Sequence, residues 1–105
     1  MDLKSNEERW AVWMVQARNF AKRQNYTDAV ARMKLVRDAV LASIDDVSDP
    51  KVRGRLERHL AHAEEQLIAL SEQHDAWRSD IAARRQHTID QAAEEMARPL
   101  PVPAD

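Results

Sequence analysis

The chain has 105 residues, no cysteine, one glycine and only five aromatic side chains of the Phe, Trp and Tyr kind. Without cysteine there is no disulfide scaffold, no thiolate nucleophile and no Cys-based zinc site, which fits a reducing compartment. With one glycine there is no glycine-rich phosphate loop, and helices are favoured over turns and strands. No apolar run approaches the roughly 20 residues of a membrane span. The opening MDLKSNEERW lacks the character of a signal peptide, so a cytoplasmic location is expected. Charge of one sign is also lacking: the net charge is −2, and no global field draws the protein to nucleic acid or anionic lipid. A nucleophile elbow, an HExxH motif and a Glu-x-x-His pair are all missing. No enzyme, cofactor or metal site is therefore expected.

What is present is helical periodicity. Trp10, Trp13, Met14, Ala17, Phe20 and Ala21 recur at helical spacing and predict an apolar face on a first helix over residues 5–22, widened by Val12 and Val15. Ser5 is its expected cap, with Glu7 and Glu8 in the first turn. Arg23, Gln24 and Asn25 then form a turn, with Asn25 capping a second helix from Tyr26 and Asp28 standing in for the acidic member of a capping box. Ala29, Met33, Val36, Val40, Ile44 and Val47 give that helix its buried stripe. So short a connection predicts an antiparallel hairpin.

The third helix starts near Pro50, capped by Ser48 or Asp49. Leu56, Leu60, Ala63, Leu67, Leu70, His74, Trp77 and Ile81 alternate spacings of four and three, a coiled-coil-like seam. The seam fails at Arg84 and Thr88 and resumes in another phase as Arg85, Ile89, Ala92 and Met96. Unbroken to Arg98, such a helix spans about 70 Å, against about 25–30 Å for each of the first two. The fold expected is all-α: an antiparallel three-helix bundle with a long third helix, in one domain over residues 1–98. The alternative is a four-helix bundle, if the third helix breaks near residues 71–80. Residues 99–105 read as a flexible proline-rich tail.

NYTDAVARMKLV, with Asn25, Tyr26, Ala29, Val30 and Met33, resembles the second-helix start of tetratricopeptide hairpins. It also resembles that of MIT domains, the three-helix microtubule-interacting-and-transport modules. HAEEQL at residues 62–67 is similar to the MIT third-helix pattern, and the resemblance covers residues 10–70. Met33 departs from an expected aromatic residue and His62 from an expected arginine. The resemblance implies a groove between the second and third helices that accepts a partner's amphipathic helix. His62, Glu64 and Ile68 would then be contacts.

Several side chains invite a choice of readings. His59 and His62 sit one turn apart and read as exposed helix surface. His74, polar within the seam, can set register, act as a pH switch or sit at the seam's edge. Lys51, Arg55, Arg58 and His62 share one stripe, either a solvated face offset by Asp45, Asp46 and Asp49 or a contact for an anionic partner. Trp77, Ile81, Ile89 and Met96 lie beyond the hairpin's reach and form an orphan apolar surface. The expected role is thus a non-enzymatic interaction module or adaptor, paired with itself as a homodimer or with a partner helix. A small secretion or assembly chaperone and a DNA-associated regulator are the alternatives. The absence of aromatics among the cations argues against nucleic acid.

Overall fold

A computed structural model describes residues 2–98, and the expected tail over 99–105 lies outside the described residues. Those described form three helices and no strand: α1 (Leu3–Lys22), α2 (Tyr26–Asp45) and α3 (Pro50–Ala97). The chain divides into two compact units, Met1–His74 and Asp75–Asp105, with the boundary inside α3.

The cap of α1 corrects the expectation from sequence. Asp2, not Ser5, holds that position: its carboxylate accepts the Ser5 backbone N–H at 3.3 Å and the Ser5 hydroxyl at 2.7 Å. Hydrogen bonds from the Ser5 side chain and backbone lower the Asp2 pKa. Because the helix starts two residues early, Glu7 and Glu8 fall outside its first turn. The carboxylate that serves the positive end of the dipole is therefore Asp2.

The turn into α2 has a sharper geometry than its residues suggest. Gln24 takes a positive φ of 63°. Its N–H donates to the Ala21 carbonyl at 2.9 Å, and the Asn25 N–H donates to Phe20 at 2.9 Å. This paired closure is a Schellman ending, in which a glycine usually occupies the left-handed position. Asn25 then caps α2 as its identity implies: its carbonyl accepts the Asp28 N–H at 3.3 Å and its amide donates to the Asp28 carboxylate at 2.7 Å. At α3 the open choice of cap resolves to Asp49, whose carboxylate accepts the Lys51 N–H at 2.9 Å, with Pro50 in the first helical position.

In the first unit the core is drawn from all three helices. Trp10 and Ala17 of α1, Ala29, Met33, Val36, Val40 and Ile44 of α2, and Leu56, Ala63 and Leu70 of α3 are buried. Trp13, Met14, Phe20, Leu60 and Leu67 pack around them, half-buried. The expected stripe of α2 is thus the core, ending in half-buried Val47. Along α3 the seam sorts itself by sevens: positions 56, 63 and 70 are sealed, while 60, 67 and 74 lie at the margin. Val12 and Val15 do not widen the core face of α1; both are at least half exposed. They sit on the turn of helix rotated away from Trp10 and Ala17. Ser43, the buried polar residue, donates its hydroxyl to the Ala39 carbonyl at 3.0 Å.

The described part of the second unit is α3 over residues 75–97, followed by Arg98. Residues 71–80 are helical throughout, which removes the four-helix alternative. No Gly or Pro interrupts that stretch, so each backbone N–H keeps its partner one turn back. Trp77 and Ile81 are half-buried, and every other described residue of this unit is exposed.

Candidate partner interface

In the first unit a groove of about 320 Å³ runs between α1 and α3. Met14, Val15, Met33 and Leu70 supply apolar wall, and Arg18, His62, Gln66 and Gln73 supply polar rim. Two methionines make such a surface adaptable to differently shaped side chains. Its walls differ from those implied by the family resemblance, since α1 replaces α2 on one side and α2 contributes only Met33. His62 lines this groove. Glu64 and Ile68 do not line it; Glu64 is exposed, and Ile68 keeps 60% of its surface in water.

At one end of the same unit α1 and α3 are tied by a polar cluster. Arg55 grips Glu7 with two nitrogens, Nε to Oε2 and the terminal nitrogen to Oε1, each at 2.9 Å. His59 Nε2 lies 2.6 Å from Oε2 of Glu7, and its ring meets Trp10 edge-on with centroids 5.5 Å apart. Partial burial pushes the Glu7 carboxyl up in pKa. The hydrogen bonds from His59 and Arg55, with their charges, outweigh it and leave the net shift downward. His59 is therefore half-buried rather than exposed helix surface. Its ring is oriented by a carboxylate on one edge and an indole on the other.

This cluster is what sequence reasoning missed, because Glu7 lies 48 positions from Arg55 and 52 from His59. One signal was available: Glu7 precedes the buried Trp10 by three residues, so it shares that face of α1. The pairing also changes the reading of the cationic stripe. Arg55 is committed to Glu7, and the offset supplied to it comes from α1 rather than from Asp45, Asp46 or Asp49. Lys51 and Arg58 are exposed, and the three cations do not converge as a set on one anion.

His74 stacks on Tyr26, with ring centroids 5.3 Å apart and planes 20° from parallel. Half-buried, it occupies the seam's edge and touches the start of α2. Among the described residues no group of His, Asp and Glu is arranged to hold a metal ion. No helix of the described residues is long and apolar enough to cross a membrane.

The orphan surface predicted on α3 separates into two classes. Trp77 and Ile81 are half-buried, whereas Ile89 keeps 60% and Met96 86% of its surface exposed. Ile81, Arg84, Arg85, Thr88 and Ile89 line a shallow hollow of about 400 Å³ on this helix. No family model, curated protein or solved structure matches the chain.

Proposed function

We propose that the protein is a non-enzymatic helical interaction module that self-associates through the part of α3 beyond His74. In this reading α1, α2 and the first part of α3 form an antiparallel, up-down-up bundle. Two contacts support that order. Glu7 and Trp10, early in α1, meet Arg55 and His59 early in α3. Tyr26, at the start of α2, instead meets His74 much further along α3.

The observation that carries the function is the exposure of Ile89 and Met96 on a helix whose described unit has no second element to cover them. A large apolar side chain forgoes about 1.5–3 kcal/mol when left in water instead of fully buried. Pairing recovers part of that. The test is the melting temperature of the full chain across a wide concentration range, with its mass followed by sedimentation. Self-association makes melting rise with concentration, and Ile89→Glu removes that rise. A monomer mass at all concentrations, with constant melting, sinks the proposal.

A second reading has one observation in its favour, the methionine-walled groove between α1 and α3. A chaperone or adaptor would lay one face of a client's amphipathic helix there. It would remain monomeric until the client is added, which separates it from the first reading.

A further inference from the structure

Ala82, Arg85, Ile89, Ala92 and Met96 step by three and four along α3, and all five are exposed. Such spacing puts them on one face of the helix. The order of sizes on this stripe is informative. In a parallel, in-register pair each residue meets its own copy, so Arg85 faces Arg85, Met96 faces Met96, and alanines face alanines across a gap. Both the like charges and the gaps count against that arrangement.

Reversing one helix about an axis through Ile89 removes both faults. Met96 then lies opposite Ala82, Arg85 within one residue of Ala92, and Ile89 opposite itself. Met96 and Arg85 each meet a short side chain. Glu95 stands three residues beyond Ala92 on the adjoining edge, where a guanidinium passing over an alanine can reach it. Neither Arg85 nor Glu95 has an ion-pair partner among the described residues, whereas Arg84 is taken by Asp80 at 2.9 Å. Thr88 also suits an apolar seam, because its hydroxyl donates to the Arg84 carbonyl at 3.0 Å and leaves the methyl to pack.

We propose that the occupant of this face is a second copy of the chain, docked antiparallel about Ile89, with Arg85 of each copy on Glu95 of the other. The inference rests on the self-association reading and adds its direction and register. The chain has no cysteine, so single-cysteine variants report geometry cleanly. On mild oxidation of the full-length protein, an equimolar mixture of Ala82→Cys and Met96→Cys gives a covalent dimer joining the two variants. Either variant alone does not, since like positions would lie about 21 Å apart at 1.5 Å per residue. In sedimentation, Arg85→Glu or Glu95→Arg weakens dimerisation roughly tenfold, through two symmetric pairs turned from attraction to repulsion. The two changes in one chain restore it. A Met96→Cys chain that crosslinks to itself, together with charge inversions that change nothing, overturns the antiparallel register while self-association stands. A monomer at every concentration overturns both.

Discussion

Leu56 and Ile89 lie on the same helix, in the same backbone geometry, and yet the first is fully buried and the second mostly in water. Up to Leu70 every seventh residue of α3 is sealed by α1 and α2; past His74 the helix is exposed on nearly all sides. The contrast teaches that helix formation and core formation are separate achievements of a sequence. Alanine, glutamate and arginine keep the later stretch helical by propensity. The earlier stretch owes its stability to the neighbours that cover it.

The largest expected effect tests that contrast directly. Leu56→Ala removes a side chain with no exposed surface and should cost about 2–5 kcal/mol in denaturant unfolding. At protein concentrations too low for association, Ile89→Ala should change stability by no more than about 0.5 kcal/mol. Equal losses at the two sites would erase the distinction between the regions. A smaller effect comes from Gly54, where an added Cβ would meet nothing within 4 Å. Gly54→Ala should therefore stabilise by about 1 kcal/mol through backbone entropy alone, read as a rise in the denaturant midpoint without a change in slope. No gain would mean that the earlier stretch of α3 is limited by something other than helix propensity.

The smallest effect concerns Glu7. Its folded pKa lies below the ordinary 4.5, so its contribution is fully present above that value and is lost as pH falls through the lower folded value. The stability gap between the wild type and Glu7→Gln should be constant near neutral pH and narrow on acidification below about pH 4.5. A gap that widens in acid would contradict the assigned hydrogen bonds.

The parts of this fold that were legible in sequence are those fixed by neighbours in the chain. Asn25 with Asp28, Pro50 after Asp49, and the α2 stripe from Ala29 to Ile44 each depend on residues within one or two turns. Asp2 escaped notice because Ser5, an equally good capping type, stands at the very residue whose N–H Asp2 accepts. Gln24 carries no mark of its left-handed backbone, since glycine is the residue that normally signals it. Of the residues expected to touch a partner, His62 is brought to the α1–α3 groove, His74 to Tyr26, and Arg55 to Glu7. Those destinations depend on how α1 and α3 are juxtaposed, which the spacing on either helix alone does not encode. Gln16 is a further case: its carbonyl oxygen is shielded from water without a hydrogen-bond partner, and nothing local in sequence announces it.

The clasp of Glu7 by Arg55 and His59 also orders events in time. Closing a chain segment costs more as the segment lengthens, about 0.6 kcal/mol per doubling, and this one is about ten times longer than the bend closed between Phe20 and Asn25. The bend can be made while the rest of the polypeptide is still searching. The clasp must wait until α3 has arrived alongside. Interactions formed so late act chiefly as a latch on the finished molecule, and their removal hastens escape from the native state far more than it delays arrival there.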